Sequence, residues 1–228
     1  MKDSSRLHRR IVYALDFYLP FPLTALMFWL WWARTGSAPF AAYTIAAGLA
    51  FGYLVPGIGT NLLGLWRFSG PWKLGNYYLH HGFLYAPYLS LVLYGCFGVW
   101  DTLTLGQAVT LVLCMGLVQG LVSSLHDICG IKAGMIQVFN ARSASGASPE
   151  ETVMAWGPLG FGLFGAVYAL FGVLAYRFYV LQSAGGWLSV AVWACGCAGA
   201  MGITGIPYVI KERRFICAGC DRNARRQP

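Results

Sequence analysis

The segment GQAVTLVLCMGLVQGLVSSLHDI, residues 106–128, decides the fold class of this protein. It contains 23 residues, a single carboxylate and no lysine, arginine or proline. A helix of about 20 residues, rising about 1.5 Å per residue, crosses a hydrocarbon core of about 30 Å. The segment therefore predicts a transmembrane helix.

Five further apolar segments have a comparable length. Together with the first they predict six spans, at about residues 11–33, 40–66, 78–100, 106–128, 154–182 and 187–210. Only 11% of the 228 residues are charged, whereas soluble proteins carry about a quarter. The expected fold is all-α: a polytopic helical membrane protein whose six transmembrane helices form one domain over residues 1–210, followed by a basic cytoplasmic tail over 211–228.

The positive charges predict the orientation. Of the sixteen Lys and Arg residues, all except Arg34 and Arg177 share one side of the membrane if six helices alternate. By the positive-inside rule, both termini are expected in the cytoplasm of a bacterial inner membrane, N-in and C-in. The net charge of +8 suits anionic headgroups, so membrane lipids are the expected partners. Basic residues interleaved with aromatics, as a nucleic-acid groove would need, are absent from the sequence.

Polar side chains within or at the edges of the spans are functional candidates, because they are costly in hydrocarbon. These are Asp16, Asn61, His80, His81, Gln119, Ser123, Ser124, His126 and Asp127. Gln119, Ser123 and His126 share one helical face by their i, i+4, i+7 spacing. His81 shares a face with Tyr85 and Tyr88, whereas His80 points about 100° away, where it would contact lipid headgroups.

The third and fourth spans are joined by a short turn, which predicts antiparallel neighbours with His81 and His126 at similar depth. We expect His81, His126 and Asp127 to be catalytic, and Asn61, Gln119, Ser123 and Tyr85 to bind substrate. One alternative is a cofactor: haem b held by His81 and His126, or a divalent metal with candidate ligands His80, His81, His126 and Asp127.

These residues predict an integral membrane enzyme or redox subunit with a cytoplasm-facing pocket for a lipid, isoprenoid or quinone. A proton- or ion-coupled transporter of small solutes is the alternative, with the Pro- and Gly-rich segment LVPGIGTN, residues 54–61, as a broken helix beside its path. A structural or assembly subunit of a membrane complex is a third. Asp16 is expected to pair with Arg9 or to lie in the headgroup layer.

Small residues and caps predict the packing. The glycines at 157, 160, 162 and 165 and at 196, 199, 202 and 205 favour close contact of spans five and six, within a homo-oligomer or a larger complex. Ser148 and Glu151 form a capping-box pattern ahead of span five. In the tail, Cys217 and Cys220 form a CxxC motif that supplies two of the four ligands of a zinc site, responds to redox state, or is incidental.

Overall fold

The computed structural model describes residues 2–182 together with Trp187, Ala191 and Ala194, and these residues are mostly helical. The eight α-helices in this part are α1 (Lys2–Tyr13), α2 (Pro20–Thr35), α3 (Ala38–Pro56), α4 (His81–Cys96), α5 (Leu105–Lys132), α6 (Ala141–Ala144), α7 (Pro149–Met154) and α8 (Gly157–Tyr179). A π-helical segment follows α1 at Ala14–Tyr18, and another follows α3 at Gly57–Leu62.

Three helices in the described residues are long and apolar enough to cross a membrane: Ala38–Leu62, Leu105–Lys132 and Gly157–Tyr179. A fourth span exists if Arg6–Tyr18 and Pro20–Thr35 count as one, although they meet at 54°. Pro20 at the start of α2 lacks an amide hydrogen, and with the π-helical turn before it accounts for this bend. The protein is therefore a helical membrane protein with three or four candidate spans.

The remaining two predicted spans, at 78–100 and 187–210, are not seen as complete membrane-crossing helices in the described residues. Helix α4 has 16 residues, fewer than the roughly 20 that a straight crossing needs, so it forms only part of the predicted span at 78–100. The predicted span at 187–210 and the CxxC motif lie outside the described residues, apart from Trp187, Ala191 and Ala194. Six spans and the N-in/C-in topology remain predictions.

Helices α3 and α4 pack with their backbones in contact. A Cβ atom added to Gly48 would lie 2.6 Å from the Ala86 Cα, and one added to Gly52 would lie 2.8 Å from the Gly82 Cα. In lipid, such small residues replace the missing hydrophobic drive by close van der Waals contact. Helix α2 joins this pair through Trp31, whose Nε1 donates to the Ser90 hydroxyl at 2.8 Å.

The glycines of the fifth predicted span hold α8 against α5. A Cβ atom on Gly116 would lie 3.0 Å from the Gly162 carbonyl oxygen, and one on Gly165 would lie 2.6 Å from the Gln119 Cβ. The predicted contact of spans five and six falls outside the described residues. In the part that is described, this glycine stripe serves α5, the helix that carries His126.

Two short antiparallel sheets cover one end of the helices. Strand β1 (Trp66–Phe68) pairs with β4 (Ile136–Val138), and β2 (Lys73–Leu74) pairs with β3 (Tyr77–Tyr78). Because β1 follows α3 and β4 follows α5, the ends of these two helices lie together. Arg67, Lys73, Lys132 and Arg142 therefore belong to the same end of the molecule, which we call the basic end.

Three boundaries differ from the sequence-based prediction. The helix containing α3 ends at Leu62 rather than at residue 66, because the chain turns into β1. The connection at 132–148 contains β4 and α6. The capping box of Ser148 and Glu151 is present, but it begins the separate six-residue helix α7, and α8 starts afterwards at Gly157.

At the other end of the helices, two arginines bond to backbone carbonyl groups. Arg34 donates to the Tyr94 oxygen and Arg177 donates to the Leu103 oxygen, each at 2.7 Å. Arg34 also lies over the Tyr94 ring, 4.4 Å from its centroid. These two residues are the ones that the charge pattern assigned to the side opposite the basic end.

Candidate functional site

A cavity of about 330 Å³ lies near the basic end, between α1, α4 and α5. This volume falls at the lower limit of small-molecule sites, which measure about 300–1,000 Å³. Most of its wall is apolar, and the polar side chains in it are His81, Gln119, Ser123, His126 and Asp127, with Tyr85 and Tyr88 beside them. The structure thus brings six of the seven predicted catalytic and substrate-binding residues to one cavity.

Helix α5 supplies most of the polar wall. Its start is fixed by a capping box, in which Thr104 accepts from the Gln107 amide and Gln107 accepts from the Thr104 amide. Between about three and four turns before its end, Gln119 Nε2 donates to the Ser123 hydroxyl at 2.6 Å. The i, i+4, i+7 spacing then places His126 on the same side, facing α1 and α4.

His126 lies between two carboxylates. Its Nε2 is 2.9 Å from Asp16 Oδ1, and its Nδ1 is 3.4 Å from Asp127 Oδ1. The first contact is a normal hydrogen bond, and the second exceeds the usual range of about 2.7–3.2 Å. When the imidazole is protonated, the contact with Asp16 becomes an ion pair.

Asp16 is the most deeply placed member of this group. Its side chain is 0% exposed, compared with 24% for His126 and 14% for Asp127. It belongs to the π-helical segment after α1, and α1 packs against α5. Asp16 Oδ2 has no hydrogen-bond partner among the described residues. A buried carboxylate of this kind is stable only with a compensating partner, which His126 provides.

The arrangement favours proton transfer over metal binding. Asp16 occupies Nε2 of His126, and no group of three or more His, Cys, Asp or Glu side chains in the described residues is placed to hold a metal ion. The predicted alternatives of haem b or a divalent metal therefore gain no support from this geometry. A carboxylate, an imidazole and a second carboxylate in contact can instead pass a proton along the series.

His81 lies in the same cavity wall within a group of aromatic rings. It is 0% exposed, and its ring centroid is 4.6 Å from that of Phe68 and 5.2 Å from that of Tyr85. Neither of its ring nitrogens has a hydrogen-bond partner among the described residues. Gln119 Oε1 is unpartnered in the same way.

His80 does not contact headgroups as predicted. It is 7% exposed because Phe17 of the π-helical segment, Phe21 of α2 and the β2–β3 hairpin cover it, and its ring stacks on Tyr78 with a centroid distance of 5.5 Å. Its Nε2 lies 2.8 Å from the Asp16 carbonyl oxygen. Since a carbonyl oxygen only accepts, Nε2 carries the hydrogen. His80 thus fixes the backbone of the residue that pairs with His126.

Asn61 lies away from the cavity and holds the β2–β3 hairpin. Its Nδ2 donates to the Leu74 carbonyl at 3.2 Å, and its Oδ1 accepts from the Asn76 amide at 2.8 Å. These bonds give Asn61 a structural contact in place of the predicted contact with substrate. The π-helical segment Gly57–Leu62 likewise packs on this hairpin and on Trp66.

Three residues of the site were not among those predicted to act in it. Asp16, expected to pair with Arg9 or to lie in the headgroup layer, is instead fully buried and pairs with His126. Tyr88 donates to the Leu15 carbonyl at 2.6 Å and so joins α4 to the segment after α1. Phe68 comes from β1, a strand too short to recognise. The cost of an isolated charge in an apolar segment was the one available signal, and it pointed to Asp16.

Part of the cavity wall also belongs to the outer surface of the helices. Ile11 is 44% exposed, Val122 44% and Leu125 53%, and all three line the cavity. Ile11 comes from α1, and the other two come from the face of α5 that carries the exposed residues Leu113, Leu117 and Leu121. The cavity therefore borders the gap between α1 and α5 on an apolar surface.

Comparison of the chain with protein-family models, curated proteins and solved structures finds no match in any of the three. The functional argument accordingly rests on the chemistry of the cavity.

Proposed function

We propose that this protein is an integral membrane enzyme that performs acid–base chemistry on a lipid-soluble substrate in the cavity near its basic end. In this proposal the chain spans the inner membrane of a bacterium six times, with both termini and the basic end in the cytoplasm. Fourteen of the sixteen Lys and Arg residues would then be cytoplasmic. The cavity would lie on the cytoplasmic side.

The apolar wall supports a lipid-soluble substrate. Ile11, Val122 and Leu125 border the cavity and are also exposed on the outer surface of α1 and α5. If α5 spans the membrane, this surface faces lipid, and an apolar molecule can enter between the two helices without crossing water. A substrate that is soluble in the bilayer needs such an entrance.

The contacts of His126 support a different role for each acidic residue. Asp16 is fully buried and holds Nε2, so it orients the imidazole and offsets its positive charge. Asp127 is partly exposed in the cavity wall and makes only a long contact with Nδ1. A proton can therefore be exchanged between Nδ1, Asp127 and the substrate while Asp16 stays in place. A positioned acid–base group of this kind contributes about 10²–10⁴-fold to a reaction rate.

The observation that carries the proposal is the buried pair of Asp16 and His126 in the wall of an apolar cavity. It favours acid–base chemistry by His126 over ligation of a haem or metal through Nε2, because that nitrogen is bonded to a carboxylate. The transporter alternative required the broken segment after α3 to line a path, but in the described residues Gly57–Leu62 packs on the hairpin instead. Membership of a larger complex is compatible with an enzymatic role.

The test is a search for conversion of a lipid. Wild-type protein is reconstituted in nanodiscs with a total bacterial lipid extract, and lipids are compared before and after incubation by liquid chromatography and mass spectrometry. We expect a species to be consumed by wild type and by the control His8→Gln, and not by His126→Gln or Asp127→Asn. Far-ultraviolet circular dichroism checks that each variant is folded.

Two results would overturn the proposal. One is that no lipid changes with the wild-type protein. The other is that a lipid changes equally with folded His126→Gln and Asp127→Asn. Proton uptake into vesicles without any chemical change would assign the same residues to transport.

A further inference from the structure

We infer that the cavity recognises a hydroxyl headgroup on a molecule with an apolar tail, with His81 and Gln119 as the residues that bind the hydroxyl. This inference rests on the proposed function and names the class of substrate. A long-chain isoprenoid alcohol and a prenylated hydroquinone both carry this chemistry.

His81 is the first residue that requires a polar ligand. Its imidazole is fully buried among Phe68, Tyr77, Tyr78 and Tyr85, and both ring nitrogens lack a hydrogen-bond partner in the described part of the chain. Buried polar groups in native proteins are almost always hydrogen-bonded, and an exception calls for an explanation such as a bound molecule. The imidazole lines the cavity, so a ligand head placed there could supply the partner.

Gln119 is the second such residue. Its Nε2 donates to Ser123, and its Oε1 has no partner among the residues described. The side chain is 5% exposed and lines the same cavity, one helix away from His81. The cavity therefore holds an imidazole and an amide that both have unused hydrogen-bonding capacity.

A hydroxyl is the small group that matches both side chains. It donates one hydrogen bond and accepts others, so it can pair with an imidazole in either tautomer and with an amide in either orientation. A ketone or an ether only accepts, so it would leave both buried acceptors, the imidazole nitrogen without hydrogen and Gln119 Oε1, unpaired, whereas a hydroxyl can donate to one of them. A site built to bond a hydroxyl rejects analogues that lack it.

The size and position of the cavity suit a head with an emerging tail. About 330 Å³ accommodates a small ligand or the head of a larger one. The tail would leave between α1 and α5, past Ile11, Val122 and Leu125, which are exposed on the apolar surface. The aromatic walls at Phe68 and Phe161 are compatible with an isoprenoid chain or with a phenolic ring.

The test compares ligands that differ only in the hydroxyl. Wild-type protein in nanodiscs is titrated with geranylgeraniol and with its methyl ether, and with a short-chain ubiquinol and the corresponding dimethyl ether, by intrinsic tryptophan fluorescence. We expect the hydroxyl compound of at least one pair to bind about tenfold or more tightly than its ether. The pair that shows the preference identifies the source of the hydroxyl.

Two variants assign the preference to residues. His81→Phe keeps a planar ring, and Gln119→Met keeps the length of the side chain, and each should reduce the preference to about twofold or less. His8→Phe is the matched control and should retain it. Gln119→Met keeps the inference testable if His81→Phe does not fold.

Equal binding of both alcohols and their ethers by the wild type would overturn the inference, as would an unchanged preference in folded His81→Phe and Gln119→Met. These results are distinguishable from failure of the proposed function, because binding is measured without turnover. A preserved hydroxyl preference together with no lipid conversion would refute the enzyme and leave the binding site.

Discussion

The side chains of Asp16 and His126, separated by 110 residues in the chain, meet at 2.9 Å where the segment after α1 crosses α5. Around this contact His80 bonds the Asp16 carbonyl group, and Tyr88 bonds that of Leu15. Helix α5, through His126, and helix α4 with its N-cap, through Tyr88 and His80, thus position one carboxylate. The pair is both the centre of the proposed site and the link between the first helix and the rest of the bundle.

Replacing His126 alone should destabilise the protein strongly, whereas replacing both members of the pair should not. His126→Leu leaves Asp16 as an unpaired buried carboxylate, so we expect a loss of about 3–5 kcal/mol in the free energy of unfolding. Asp16→Leu should cost less, because His126 is partly exposed and keeps Asp127. The double variant should recover most of the loss, as measured by denaturant unfolding in detergent.

The control for this cycle is Asp101→Leu, since Asp101 is exposed at the opposite end of the helices. It should change the unfolding free energy by less than about 0.5 kcal/mol. Additive effects of Asp16→Leu and His126→Leu would contradict the pairing, because coupled residues depart from additivity.

Glycine substitutions inside and outside the contact of α5 with α8 should have opposite effects on stability. In Gly165→Ala the new Cβ atom would lie 2.6 Å from the Gln119 Cβ and 2.9 Å from the Met115 carbonyl oxygen. The helices must separate, and overpacking of this kind costs about 1–3 kcal/mol. Gly165→Ala should also weaken ligand binding, since Gln119 lines the cavity.

Gly106→Ala is the matched substitution at the start of α5. In the described residues nothing lies within 4 Å of its added Cβ atom, so the higher helix propensity of alanine should stabilise the protein by up to about 1 kcal/mol. Thermal unfolding in the same detergent measures both variants. A stabilising effect of Gly165→Ala would show that the two helices are not in the close contact described.

The proposed orientation predicts which loops react with a membrane-impermeant maleimide. In a background without native cysteines, Thr102→Cys lies in the exposed loop between α4 and α5, and Ser145→Cys lies after α6 near the basic end. Thr102→Cys should be labelled in intact spheroplasts, and Ser145→Cys only after lysis. The reverse pattern would place the basic end, and with it the cavity, on the outer side.

The ion pair of Lys132 and Glu150 predicts a small pH dependence of stability. Its hydrogen bond lowers the pKa of Glu150 from the ordinary value of 4.5. A carboxyl whose pKa is lowered on folding stabilises the folded state above its ordinary pKa, and that contribution is lost as the pH falls through the lowered pKa. Acidification should therefore weaken the junction between α5 and α7.

Thermal unfolding between about pH 6 and about pH 3 tests this dependence. Part of the acid-induced decrease in midpoint temperature should disappear in Glu150→Gln. The same part should disappear in Lys132→Met, because this variant also removes the ion pair. The change should be small, because Glu150 is exposed to solvent and surface pairs contribute little. An identical pH profile in wild type and both variants would exclude the contribution.

The polar face of α5 could be predicted because it depends on local geometry alone. Gln119, Ser123 and His126 follow the helical period, and any helix of that sequence presents them together. The partner of His126 could not be predicted, because the meeting of residues 16 and 126 depends on the bend before α2 and on the packing of α1. The strands could not be predicted either, because segments of two or three residues are too short to show an alternation of polar and apolar side chains.

His80 shows how coverage by distant segments reverses a prediction. A residue near a helix start that points away from the polar face should reach the interface if nothing covers it. Here the π-helical segment after α1, the start of α2 and the β2–β3 hairpin pack over it, and all of them are placed by contacts outside its own helix. Asn61 was likewise predicted to contact substrate because the hairpin that it holds could not be foreseen. The sequence of that hairpin has no turn signal beyond Gly75 and Asn76.

The two small sheets have a consequence for the depth of the site. Each has only two strands in the described residues. The Phe68 amide on the outer edge of β1 donates to the Asn76 carbonyl, but other edge groups have no strand beside them, and hydrocarbon contains nothing that could hydrogen-bond to them. These edges must therefore lie among headgroups or in water. Phe68 ends β1 and also forms part of the cavity wall, so in the proposed orientation the cavity would begin at the boundary between water and lipid. In the proposed function, this depth would let His126 exchange protons with the aqueous phase while an apolar molecule approaches from the membrane interior.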